Sequence, residues 1–371
     1  MLERHRTRSD GTNGGRHGQR PRQAPRSRGD VMPGQGLRHA ALFCRNGADY
    51  LASVTAFLGA AADRREPVLA AVPTGRLGEL SHALGAAARQ VTFLDMTEHG
   101  RNPAVIIPAI QAFAGQHPGE RVSYLGESAW PDRTAAELVE ATRHEALINL
   151  ALADTPISIL CPYGAGLPPT VRDDARCTHP TVIERGSSHH SSEYLGMNGL
   201  PPRCELPLAA PPADADTISY VGDLRSLRAL VAAQAIGAGL SEGRAADLVL
   251  AVSELAANTL RHTSGGGTLS VWYPPGEVVC EIHDGGWISD PLAGRRRPPE
   301  HPTGRQGLWV VNQVSDLVEL RSGPAGTTIR LHMSLALGPH PGAVHGGPAG
   351  LGRLTGALPA AMSASRLCPP L

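Results

Sequence analysis

Short apolar runs alternate with longer amphipathic stretches over residues 37–184. Residues 39–44, 67–72, 91–94, 121–125 and 157–161 are runs of mostly aliphatic side chains. Their lengths suit buried strands. Between them, 48–62, 77–89, 105–116 and 135–152 repeat apolar residues at the three- and four-residue spacing of helices. Such alternation predicts an α/β domain built on a mainly parallel sheet.

The pattern changes in a second block, 215–334. Helical periodicity comes first, over 224–236 and 241–262. Strand-like segments follow at 267–273, 278–283, 317–321 and 327–333, with a short helix at 308–313. Helices grouped against strands predict an α+β sandwich. Residues 185–214 hold Ser187-Ser-His-His-Ser-Ser192 and several prolines without periodicity, and read as a linker. The two ends lack apolar periodicity and read as disordered. Residues 1–36 carry eight Arg against Glu3, Asp10 and Asp30 and form a basic arm; 335–371 is a Gly/Pro/Ala-rich tail.

Composition narrows the chemistry. At 371 residues the chain has room for about two domains. Its 34 basic and 34 acidic residues balance, so no global field draws it to DNA or a membrane. Every basic residue is Arg; without Lys there is no P-loop lysine and no Schiff base. No apolar run reaches the ~18 residues of a membrane span, and no secretory apolar segment opens the chain. Six scattered cysteines with no CxxC pair read as reduced thiols of a cytoplasmic protein. His179, His189 and His190 match no metal-ligand spacing, and no metal is assigned to them.

Four short motifs in the second block carry the candidate chemistry. Glu254 and Asn258 stand four apart on one helix, so both project from one face. A carboxylate and an amide so placed suit a hydrated Mg²⁺, which takes oxygen ligands. Asp284-Gly285-Gly286 ends a strand, Gly304-Arg305-Gln306-Gly307 precedes a helix, and Gly326-Thr327-Thr328 opens the last strand. A glycine-bearing loop ahead of a helix leaves N–H groups for a phosphate. Singly, each has a plain explanation: a solvated helix face, a turn, a flexible loop.

Their order resembles the histidine-kinase-like ATPase (GHKL) superfamily, and Glu254–Asn258 with Arg261-His262 is similar to the anti-sigma-factor serine kinases of actinobacteria. The resemblance implies that Asn258 holds Mg²⁺, Glu254 is the catalytic base and Asp284 contacts adenine. It also implies that Gly286 lines the adenine pocket, that Gly304 and Gly307 form the phosphate lid, and that Thr328 helps to hold adenine and the Asp284-bound water. Two positions depart from the family pattern. Ile288 stands where a further glycine is usual, and Arg305 replaces the first glycine of the lid, displaced to Gly304. Arg295-Arg296-Arg297 offers charge to phosphates, or is an exposed run.

The first block has a RecA-like arrangement, although Pro73-Thr74-Gly75 cannot serve as a phosphate loop without lysine. It resembles the methanogen/methylotroph sensory (MEDS) domain at 39–50, 66–72, Gly126-Glu127 with Trp130, Arg143-His144-Glu145 with Asn149, and Cys161-Pro162-Tyr163. His39, Glu127, Trp130, His144 and Glu145 are candidates to line a ligand pocket for a small-molecule signal; read singly, His144 and Glu145 form a helix-surface pair and Trp130 is core. The combined resemblance implies an ATP- and Mg²⁺-dependent regulator. Such a protein sequesters a sigma factor and phosphorylates a Ser or Thr of an anti-anti-sigma (STAS-type) antagonist. The alternatives are a sensor histidine kinase, which needs a His-bearing dimerisation helix, and a sigma-binding scaffold with a degenerate ATP site. The apolar helix 224–236 suits a homodimer.

Overall fold

Val68–Val72 is buried at all five positions, as expected of a strand covered on both faces. It is β2 of a seven-stranded sheet in a computed structural model that describes residues 36–298 and 306–336. The other strands are β1 (Arg38–Cys44), β3 (Val91–Asp95), β4 (Val122–Gly126), β5 (Ile157–Gly164), β6 (Thr181–Glu184) and β7 (Ser187–His190). The order is β3-β2-β4-β5-β1-β6-β7, parallel throughout except for the antiparallel β6–β7 pair.

Helices α1 (Gly47–Asp63) and α2 (Thr74–Leu84) bury Val54, Leu58 and Leu80 on one face of this sheet. A short α3 (Met96–His99) follows β3. On the other face α4 (Ile106–Gly115), α5 (Ala135–Ala151) and α6 (Pro169–Thr178) bury Ile107, Ile110, Ile148 and Val171. A capping box fixes the start of α5: Thr134 Oγ1 accepts from the Glu137 N–H, and the Glu137 carboxylate accepts from the Thr134 N–H.

The second sheet has the order β11-β12-β10-β9-β8 and is antiparallel throughout. Its strands are β8 (Asp216–Tyr220), β9 (Gly267–Trp272), β10 (Glu277–Asp284), β11 (Leu317–Gly323) and β12 (Gly326–Ser334). Strict alternation of burial along β12 sends Ile329, Leu331 and Met333 into a core shared with α7 (Leu224–Gly237), α8 (Glu242–His262) and α9 (Gly307–Val314). Arg330 and His332 alternate to the opposite face and pair there with Glu281, Glu319 and Glu277.

The fold is thus a mostly parallel sheet followed by an antiparallel one, and most helices lie where the periodicity placed them; the one expected over 77–89 runs as Thr74–Leu84 and gives way at Gly85, at φ 56°, to a 3-10 helix. The differences fall where apolar runs are missing. Ser187–His190, expected in a linker, is strand β7, with all four residues exposed. α6 and β6 carry too few apolar residues for their period to be read. Strand β8 precedes the two helices of the second block, and four of its five residues are exposed. Gly304, Arg305, residues 1–35 and residues 337–371 lie outside the described residues.

Candidate functional site

Asp223 caps α7, and Ser241 caps α8 by accepting from the Arg244 N–H. Leu248, Val252 and Leu255 anchor α8 in the core, which leaves Glu254 and Asn258 half-buried on the adjoining face. Asn258 Oδ1 accepts from Arg261 Nη1 at 2.8 Å. An amide oxygen keeps a second lone pair, so with the Glu254 carboxylate it supplies the hard oxygen donors that Mg²⁺ takes.

The residue after Asn258 joins α8 to the end of β10. Tyr220 donates to Thr259 Oγ1 at 3.0 Å, and Thr259 donates to Asp284 Oδ2 at 2.5 Å. Asp284 Oδ1 accepts from the Gly286 N–H at 2.8 Å. A Cβ on Gly286 would lie 2.9 Å from that oxygen, so the glycine keeps the carboxylate approachable. Tyr220 and Thr259 were not singled out from sequence; a hydroxyl beside the motif asparagine was the only trace of either.

Gly307, the first residue of α9, packs against the same pair. A Cβ there would stand 2.8 Å from Asn258 Nδ2 and 3.0 Å from Glu254 Oε2. The N-terminus of α9 therefore lies against Glu254 and Asn258. The structure thus brings together Glu254, Asn258 and Gly307, and links them through Thr259 to Asp284 and Gly286.

Thr328 departs from the expected place. Asp284 pairs across the sheet with Thr327, and His283 with Thr328. Directly opposed residues share a face, so Thr328 points away from the helices and meets His283 Nδ1 at 3.0 Å. The hydroxyl on the Asp284 side belongs to Thr327, which donates to the Gly286 carbonyl at 2.9 Å. Arg295 is neither an exposed charge nor aimed at the ExxxN pair. It is buried and donates to Glu140 of α5 at 3.0 Å, while exposed Arg296 pairs with Asp290.

In the first domain the C-terminal ends of β2, β3 and β4 frame a cleft of about 620 Å³. Crevices at strand ends are the usual ligand sites of parallel sheets. Pro73–Arg76, Thr97, Arg101, Glu127, Trp130 and Arg133 line it. The Arg133 guanidinium lies 3.7 Å from the Trp130 ring centroid. Burial pushes the Glu127 carboxyl up to about 7, although it accepts from Tyr50 Oη at 2.8 Å. His39, His144 and Glu145 do not line this cleft. His144 and Glu145 are buried rather than a helix-surface pair, and burial pushes His144 down to about 3. His179 is buried beside His39, whereas His189 and His190 are exposed on β7.

A helix-borne ExxxN pair thus lies beside a strand-borne aspartate, in one layer of helices on an antiparallel sheet. Residues 219–333 match the family described as the histidine kinase-like ATPase domain, and residues 38–180 match the MEDS domain (MEthanogen/methylotroph, DcmR Sensory domain). The chain carries both domains, and its ATPase domain implies ATP binding. No curated protein matches it. It is similar to the RsbU and RsbW domains of Rv1364c from Mycobacterium tuberculosis, at 20% identity and a TM-score of 0.25 over 33% of each chain. Among the described residues, no helix is long and apolar enough to cross a membrane.

Proposed function

We propose that this protein is an ATP-dependent regulator of a sigma factor, in which the MEDS domain controls a kinase acting on Ser or Thr of an anti-anti-sigma (STAS-type) antagonist. The observation that carries this reading is the packing of Gly307, at the start of α9, onto Glu254 and Asn258. It sets a helix N-terminus beside a carboxylate and an amide oxygen, which is the chemistry a nucleotide's phosphates and their Mg²⁺ require. Asp284, held by Thr259 and the Gly286 N–H, accepts from the amino group of adenine, and Thr327 supports it.

Asn258 is the residue that would hold Mg²⁺, which when bound offsets negative charge on the phosphates. Glu254 orients and deprotonates the antagonist hydroxyl, a weak nucleophile until it is positioned. The cleft at the ends of β2–β4 takes the small-molecule signal. The parallel order of β3-β2-β4-β5-β1 supports a RecA-like origin for that sheet. Residues 185–214 form β7 at the edge of the first sheet and a 3-10 turn at Pro202–Cys204, with no His-bearing helix. This favours the serine kinase over the histidine kinase.

The test is calorimetric titration of Mg-ATP into the full chain and into Asp284→Asn. Binding by the wild type, weakened at least tenfold in the variant, supports the reading. Phosphoserine or phosphothreonine should then appear on an added antagonist. Absence of binding by a folded wild-type chain would sink the kinase and leave a sigma-binding scaffold.

A further inference from the structure

We propose that His39, Glu145, Cys161 and His179 of the MEDS domain are the ligands of a closed, four-coordinate Zn²⁺ site. The four come from β1, α5, β5 and the residue that ends α6, and one ligand atom of each lies within 4.8 Å of all the others. All four are essentially inaccessible, at 0–1% exposure.

The spacing fits a tetrahedral ion. Metal–donor distances of ~2.0–2.3 Å imply donor–donor edges of about 3.3–3.8 Å. Glu145 Oε2 lies 3.2 Å from His39 Nε2, 3.5 Å from His179 Nε2 and 3.3 Å from Cys161 Sγ. Cys161 Sγ is 3.5 Å from His39 Nε2.

The surrounding hydrogen bonds fix which atoms face inward. Asn149 Nδ2 donates to the Thr178 and Ala146 carbonyls, at 2.8 and 3.1 Å, which leaves Oδ1 to accept from His39 Nδ1 at 3.1 Å. His179 Nδ1 lies 2.8 Å from the Ala175 carbonyl, which can only accept. In the neutral tautomer that these bonds select, each ring carries its proton on Nδ1 and turns an Nε2 lone pair toward the same carboxylate oxygen. His179 Nε2 has no hydrogen-bond partner. Lone pairs facing a carboxylate in a buried site repel unless a cation stands between them. Ser128 Oγ donates to the other oxygen, Glu145 Oε1, so that Oε2 alone points into the cluster. Outer partners of this kind are what hold metal ligands in orientation.

The donor chemistry selects the ion. Two imidazoles, a thiol and one carboxylate oxygen form a mixed N/S/O set that suits Zn²⁺ rather than Mg²⁺ or Ca²⁺. On binding, the Cys161 S–H bond gives its proton to solvent and the thiolate ligates the ion. Zn²⁺ with one thiolate and one carboxylate is electrically neutral, which a buried site requires. Ser128 directly follows Glu127 of the ligand cleft, so the ion would brace the wall of the site that receives the signal.

The test uses the full chain with Zn²⁺ and Co²⁺ as probes. Wild-type protein should retain about one Zn²⁺ per chain through dialysis against metal-free buffer. Reconstituted with Co²⁺, it should show the visible absorption of a tetrahedral ion and a thiolate-to-metal charge-transfer band. Cys161→Ala should lose that band, and His179→Ala should weaken retention at least about tenfold. The His189→Ala/His190→Ala double variant should keep both signals. A folded wild-type chain that shows no charge-transfer band with Co²⁺ would overturn the site, whatever the fate of the variants. Metal lost with His189 and His190 but kept in Cys161→Ala would overturn it equally.

Discussion

Glu140 of the MEDS domain accepts from Arg295 of the ATPase domain at 3.0 Å, across 155 positions of sequence. Arg321 of β11 donates to its other oxygen at 2.8 Å, and Arg143 Nε lies 3.5 Å away. Glu140 is wholly buried, and Leu292 of the ATPase domain joins the apolar core of the first domain. Nearby, Asn102 donates to the Asn312 carbonyl of α9 at 2.9 Å. Helix α5 therefore touches β11 of the ATPase domain, and the turn that begins at Asn102 touches α9.

Replacing Glu140 with Gln leaves Arg295 buried without its counter-charge. Truncating one partner of a buried pair typically costs ~3–5 kcal/mol. A loss of that order in denaturant unfolding is expected, most of it recovered when Arg295→Met is added. An unchanged midpoint for Glu140→Gln would show that the pair carries no weight in joining the domains.

The two adjacent threonines of β12 should separate cleanly. Thr327→Val removes the donor to the Gly286 carbonyl and should weaken Mg-ATP binding by about tenfold, a loss of ~1.4 kcal/mol. Thr328→Val loses only a contact with exposed His283 and should leave affinity unchanged. The reverse result in the same titration would place adenine on the other face of the sheet.

Gly307→Ala separates the proposed nucleotide site from the fold. Alanine favours a helix by up to ~1 kcal/mol over glycine, yet here its Cβ would press on Asn258 and Glu254. Thermal stability should hold within a few degrees while Mg-ATP affinity falls about tenfold; crowding of this kind costs ~1–3 kcal/mol. Retained affinity would mean that the ExxxN pair moves freely away from α9.

His332 gives the second sheet a pH dependence. Burial lowers its basicity, but hydrogen bonds to Glu277 and Glu319, each at 3.1 Å, outweigh it and raise the imidazole to about 9. A raised folded-state value means that the stabilisation is complete below the unfolded value of ~6.5 and is lost as pH climbs through about 9. Unfolding free energy followed from pH 6 to 10 should therefore decline, and the decline should flatten in His332→Gln. At pH 6 that variant should lose ~1–3 kcal/mol, the usual worth of hydrogen bonds to a charged group.

Much of this molecule is set by local sequence. The all-apolar run Val68–Val72, between helical stretches, reads as a strand covered on both faces, and the four-residue spacing on α8 puts Glu254 and Asn258 on one side beside its apolar stripe. Both are consequences of period and propensity, which act within a few residues. Strands β7 and β8 escaped because their residues are exposed and have no apolar face to announce them. Tertiary structure decided the rest. Strand register, not the GTT motif, put Thr327 rather than Thr328 beside Asp284, since a shift of one residue reverses the face. The His39–Glu145–Cys161–His179 cluster and the Glu140–Arg295 pair join residues far apart in the chain. A buried charge or imidazole takes its role from whatever the fold packs against it, and that partner leaves no period in the sequence.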